Sequence, residues 1–220
     1  MATTVECRGS CGDLLHQIVR EGLPVFEDAL EAAGRSLPRF VRRELERFEA
    51  CGDVANGFAW LHCDDCDHHR LVPFSCKGRG FCPSCGGRRM AEWAAHQVEQ
   101  VLPAVGIRQW VLTVPWGRRF LLARHPRLIR GVLGIATTQI FAWVRDDLTR
   151  RGFGGAHTGS VTVVQRFGSA LRLNVHFHIL VLDGGYLEGA DGRLTFHRAH
   201  KPTTADVQEL VTRISVAAEH

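Results

Sequence analysis

Asn174-Val175-His176-Phe177-His178-Ile179-Leu180-Val181-Leu182 restricts the possible folds of this chain more than any other stretch. It is a strand pattern, because side chains alternate faces along an extended backbone. Val175, Phe177, Ile179 and Val181 then share one face, which is apolar enough to be buried. Asn174, His176, His178 and Leu180 share the other. Two imidazoles on one face of a sheet converge on a point and can hold a divalent cation. The apolar residue between them anchors the strand in a core. Two ligands do not complete a metal site, so a third side chain is required. No third ligand is assigned; Gln165, on the neighbouring predicted strand, is one candidate.

The 220 residues allow one substantial domain and a smaller module, and 45% hydrophobic content suffices for a core. Of 27 basic residues only Lys77 and Lys201 are lysine. Arginine dominance suits two-pronged contacts to phosphate or carboxylate, although a GC-rich genome also raises arginine. No apolar run approaches the roughly 20 residues needed to span a bilayer, and residues 1 to 10 lack the apolar centre of a signal peptide. A cytoplasmic protein is expected. Five of the eight cysteines fall between Cys63 and Cys85. In a reducing compartment such crowding indicates metal rather than disulfides.

Apolar positions at helical spacing predict three short helices over 11–50, with Pro24 and Pro38 at helix starts. Residues 51–90 lose that period and read as a loop-rich module. A helix over 91–101, a strand over 108–115 and a long helix over 126–151 follow. Two strands, 160–166 and 171–182, are joined at Gly168-Ser169 as a hairpin. A minor strand within 187–196 and a helix capped by Thr204 complete the order. The fold class is α+β. It has an N-terminal helical segment (1–57), a zinc-binding module with its following helix (58–103), and an incomplete ferredoxin-like, split βαβ sheet (104–220). Such a sheet needs at least one further strand, so the sequence is expected to be a C-terminally incomplete portion of a protein.

Cys63-x2-Cys66 and Cys82-x2-Cys85, fifteen residues apart, have the paired spacing of tetrahedral structural zinc, and these four are the expected ligands. Cys76, His62, His68 and His69 are spare donors able to replace one of them. Cys7, Cys11 and Cys51 carry no assigned role. Lys77, Arg79, Arg88 and Arg89 surround the module and are the expected DNA phosphate contacts, with an ordinary solvated face as the alternative.

Four ordered motifs carry a family resemblance. They are Arg79-Gly80-Phe81-Cys82-Pro83-Ser84-Cys85, Trp110-Val111-Leu112-Thr113-Val114-Pro115, Gln165-Arg166-Phe167-Gly168-Ser169-Ala170-Leu171 and Asn174-Val175-His176-Phe177-His178. From about residue 10 onward the chain resembles the IS-ninety-one-like insertion-sequence transposases. These are rolling-circle enzymes with an N-terminal zinc-binding domain and a His-hydrophobic-His (HUH) nuclease domain. The resemblance implies Mg²⁺ or Mn²⁺ at His176 and His178, structural zinc at the cysteines, and single-stranded transposon-end DNA as partner. It also implies cleavage and rejoining through a 5′-phosphotyrosine, which conserves the energy of the broken bond.

The family's nucleophilic tyrosine lies on a helix well downstream of the histidines. Here the one tyrosine, Tyr186, follows the strand by a few residues in a glycine-rich turn and reads as a packing aromatic. No catalytic residue is therefore assigned, and binding without cleavage is expected. The competing readings are a zinc-ribbon DNA-binding or regulatory protein with incidental histidines, and a water-activating metal hydrolase. The hydrolase lacks a visible general base. The sequence leaves oligomeric state open.

Overall fold

The computed structural model describes residues 13–78, 82–169 and 172–219. It divides the chain into two compact units, Met1–Pro103 and Ala104–His220. Helix and strand are mixed, as expected for an α+β chain. No helix among the described residues is long and apolar enough to cross a membrane.

The first unit opens with α1 (Leu14–Ala32) and α2 (Arg39–Glu49), two helices where the periodicity predicts three. Pro24 lies inside α1 rather than at a start. It is exposed, so the Arg20 carbonyl that loses its amide partner there is open to water. The Asp13 side chain accepts the His16 backbone N–H at 2.7 Å and caps α1. His16 itself is buried, with Nε2 2.7 Å from the Glu49 carbonyl and its ring tilted against Phe48.

The expected loop-rich module contains a hairpin of β1 (Phe58–Cys63) and β2 (His68–Pro73), paired antiparallel. After a loop comes α3 (Pro83–His96), with Pro83 in its first turn, where a missing N–H costs nothing. A π-helical turn, Gln97–Val101, continues it. The unit's core is small: Phe48, Cys51, Cys82 and Cys85, flanked by Val19 and Cys76. The helical segment and the cysteine module thus share one core.

The second unit is built on a three-stranded antiparallel sheet in the order β3 (Ile107–Thr113), β5 (Leu173–Leu182), β4 (Ser160–Phe167). Between β3 and β4 run α4 (Trp116–Arg124), which the sequence reading omitted, and α5 (Pro126–Arg150). Gly152 at φ +89° ends α5 in the left-handed region, and the Phe153 N–H returns to the Leu148 carbonyl at 2.8 Å. The apolar face of β5 is buried as its alternation requires: Val175, Phe177 and Ile179 are 0% exposed and Val181 1%. They pack against Ile129, Ala136 and Ile140 of α5 and Ile214 of α6 (Thr204–Glu219).

A separate hairpin, β6 (Gly184–Glu188) and β7 (Leu194–Arg198), stands where one minor strand is expected. Gly184 is obligatory there, since a Cβ would sit 2.1 Å from the His197 carbonyl oxygen. The cap of α6 is Thr203 rather than Thr204. Thr203 Oγ1 accepts the Asp206 N–H at 3.2 Å, while the Asp206 carboxylate accepts the Thr203 N–H at 2.7 Å. This reciprocal pairing is a capping box, with Asp in the place usually held by Glu.

Candidate functional site

Four sulfurs converge in the first unit, from Cys51, Cys76, Cys82 and Cys85. Cys51 follows the C-terminus of α2 and Cys76 sits in the loop after β2. Cys82 is the N-cap of α3 and Cys85 lies in its first turn. The sulfur separations are 3.7 Å for Cys51–Cys82, 3.8 Å for Cys51–Cys85 and 3.5 Å for Cys76–Cys85. Zinc–thiolate bonds of about 2.3 Å make a tetrahedron with edges of about 3.8 Å. The donor set therefore fits a closed structural zinc in chemistry and in size.

Backbone amides and a helix end favour thiolate at this centre. The Cys76 N–H points at Cys51 Sγ and the Gly78 N–H at Cys76 Sγ, both at 3.3 Å, and the α3 N-terminus faces Cys82 and Cys85. Burial raises the Cys85 thiol, but hydrogen bonds from Cys76, Cys51 and Cys82 prevail and bring it down to about 7. Burial pushes Cys76 and Cys82 up. Arg47 donates to the Cys76 carbonyl at 2.6 Å and Arg89 to the Lys77 carbonyl at 3.1 Å, bracing the ligand loop from two helices.

Cys63 and Cys66, expected beside Cys82 and Cys85, are elsewhere. Both are exposed at the tip of the β1–β2 hairpin, outside the sulfur cluster. The spare donor Cys76 and the unassigned Cys51 take those two places. The reason is geometric: four intervening residues close the hairpin directly after Cys63, so its tip points to solvent. Of the expected DNA contacts, Lys77, Arg88 and Arg89 line one depression with Ser75, Cys85 and Glu92. Arg79 lies outside the described residues, as do Cys7 and Cys11.

In the second unit His176 and His178 project from β5, the central strand, onto the face opposite the core. His176 lies between Thr113 of β3 and Gln165 of β4, and His178 between Val111 and Val163. Their ring centroids are 5.0 Å apart. His176 Nδ1–H donates to the Asn174 carbonyl at 2.7 Å, which leaves the lone pair on its Nε2. His178 is held from both sides: the Gln109 amide reaches its Nδ1 at 2.6 Å, and its Nε2 lies 3.0 Å from Gln165 Oε1. The β4 register shifts between Gln165 and Phe167, a bulge immediately beside this glutamine.

Two family models match separate stretches of the chain, the first of them running through the first unit and on into β3. Residues 22–114 match the family model described as "Transposase zinc-binding domain", and residues 159–219 match one described as "Putative transposase". Both matched models describe transposases, and together they cover most of the chain. It is 27% identical over 161 residues to "Putative transposase y4qJ" of Sinorhizobium fredii (strain NBRC 101917 / NGR234), covering 73% of this chain and 39% of that protein. The chain thus spans well under half the length of this curated relative. No solved structure matches it.

The position of the single tyrosine bears on the expected phosphotyrosine chemistry. Tyr186 lies on β6 rather than in a turn, packs against Phe196 at 5.2 Å between ring centroids, and bridges to the His157 backbone. Among the described contacts none joins it to His176 or His178. The sequence reading also missed Gln109 and Cys51. Gln109 is visible in hindsight, because it stands two residues from the partner of His178 on a neighbouring strand and so reaches it diagonally. Cys51 has no local signal, since it lies 25 positions before Cys76 in the chain.

Proposed function

We propose that this chain is the DNA-binding and cation-binding part of a transposase that cuts and rejoins single-stranded transposon ends. The observation that carries the reading is the half-buried imidazole pair on the face of β5 opposite the core, with one ring already set to offer Nε2 and the other bracketed by two glutamines. His176, His178 and Gln165 would hold Mg²⁺ or Mn²⁺. The 3.0 Å between His178 Nε2 and Gln165 Oε1 equals the edge of an octahedron with ligand distances of about 2.1 Å. To free Nε2, the His178 proton moves to Nδ1 and the Gln109 amide turns its oxygen toward it. When bound, such a cation polarises a phosphodiester oxygen and orients the scissile bond. The side chains fix the imidazoles, Phe177 anchors the strand, and Lys77, Arg88 and Arg89 bind backbone phosphates. Tyr186 is a packing residue in this reading, and the attacking tyrosine is not among these residues. Zinc held by Cys51, Cys76, Cys82 and Cys85 supports the fold of the first unit.

Gel retardation with a hairpin-bearing single strand tests the reading. Retention should exceed that of duplex of equal length and fall steeply between 50 and 200 mM salt, as roughly one counterion is released per phosphate contact. Added Mn²⁺ should strengthen retention, and His176→Ala with His178→Ala should abolish that gain. Equal binding of duplex, or a Mn²⁺ effect that survives both substitutions, would favour a DNA-binding protein with incidental histidines.

A further inference from the structure

We propose that the tip of the β1–β2 hairpin is a second, independent metal site. There the Cys63 and Cys66 thiolates and the His68 imidazole take a thiophilic divalent cation such as zinc, with a fourth position open to solvent. This goes beyond the transposase reading and does not depend on it. The tip is built as a metal-binding knuckle. The Cys63 sulfur accepts the backbone N–H groups of Asp65 and Cys66 as well as a hydrogen bond from the Cys66 side chain, so the two sulfurs are already adjacent. Asp67, four residues after Cys63, adopts φ +52°, and its N–H closes on the Cys63 carbonyl at 2.9 Å. That left-handed residue tightens the turn that carries both thiols. A non-glycine residue in this region is uncommon and calls for a reason.

Register supplies the third donor. Cys63 pairs directly with His68, and opposed residues of an antiparallel pair share a face. His62 and His69, also directly opposed, occupy the other face. They are the less suitable ligands, although with Asp67 they form a close trio. The Trp60 indole donates to His69 Nδ1 at 3.0 Å, which puts the His69 proton on Nε2, facing Asp67 at 3.5 Å. His62 has Asp64 at 3.1 Å from one nitrogen and Asp67 at 3.0 Å from the other. That trio satisfies itself without a cation. Cys63, Cys66 and His68 are all exposed, and Asp64, Asp65 and Asp67 make the tip attractive to a dication. Three donors on an exposed tip form an open, labile site, unlike the closed four-thiolate centre.

The test is metal content and release in the 220-residue protein. Mass spectrometric metal analysis of zinc-loaded protein should give two zinc ions per chain. Release to a chromogenic chelator should be biphasic, in equal fast and slow steps. Cys63→Ser with Cys66→Ser should leave one zinc and only the slow step. His68→Ala should accelerate the fast step by at least the roughly tenfold that loss of even an outer-shell partner costs. One zinc per chain in the unaltered protein would overturn the proposal, as would two in the double variant. Loss of all zinc from the double variant would also overturn it, because Cys63 and Cys66 would then belong to the main centre.

Discussion

Cys51→Ser separates the four-sulfur cluster from the zinc ligand set that cysteine spacing suggests, and the structure sets the size of its effect. The first unit buries one large apolar side chain, Phe48, among its core cysteines. Full burial of a phenylalanine contributes up to about 3 kcal/mol. A thiolate-held zinc contributes about 10–16 kcal/mol to the folding of small zinc modules. The metal is therefore the larger stabilising term by several-fold, and a variant missing one ligand forfeits much of it. Cys51→Ser should unfold the first unit, or make it melt far below the unaltered protein, while the second unit keeps its transition. Cys63→Ser removes an exposed group outside the cluster and, in protein with zinc at the four-sulfur centre alone, should change that melting by no more than about 0.5 kcal/mol. Indole N–H resonances give the assay, since Trp60 and Trp93 report the first unit and Trp110, Trp116 and Trp143 the second. If Cys51→Ser preserves the Trp60 and Trp93 signals while Cys63→Ser collapses them, the assigned ligand set is refuted.

Phe177→Ala should cost about 3–5 kcal/mol in denaturant unfolding of the second unit, because Phe177 is 0% exposed beneath the two histidines. A loss under 1 kcal/mol would mean that β5 is not anchored as described. Gly184→Ala should destabilise the β6–β7 hairpin, read as faster amide exchange at Tyr186 and Phe196, because its Cβ would strike the His197 carbonyl. Stability should also depend on pH through His200, whose Nδ1 lies 2.6 Å from Asp147 and Nε2 3.3 Å from Asp206. The hydrogen bond to Asp147 raises His200, so its contribution is complete below the ordinary histidine value of about 6.5 and fades as pH rises through the raised one. Bonds from Thr203 hold Asp206 well below the usual carboxylate range. Burial opposes ionisation of Asp147, yet bonds from His200 and Arg151 prevail and lower it too. These contributions are present above about pH 4 and are lost in stronger acid. Thermal melts of the second unit from pH 3 to 9, followed by the Trp110, Trp116 and Trp143 signals, should be most stable between about 4 and 6.5, and His200→Asn should flatten the decline on the alkaline side.

The parts of the molecule legible in the sequence are those governed by local period. β5 shows its two faces because alternate residues are fully buried, and α5 shows its length because Pro126 opens it and Gly152 closes it. The histidine face followed from the same alternation. The set of converging cysteines did not, because two Cys-x2-Cys pairs look alike until the chain is folded. One pair is capped onto a helix N-terminus inside a core, and the other is carried outward by its own turn. The two inner partners, Cys51 and Cys76, come from separate loops and have no shared spacing. Pro24 misled for a related reason, since an exposed helix tolerates one stranded carbonyl. Gln109 carries no signal until strand pairing places it beside His178.

The central claim is that the open face of β5 holds a divalent cation, and Mn²⁺ titration followed by electron paramagnetic resonance tests it most directly. With the thiolate sites first filled with zinc, the unaltered protein should immobilise one Mn²⁺ per chain, and His176→Ala with His178→Ala should immobilise none. Equal Mn²⁺ binding by both proteins would contradict it.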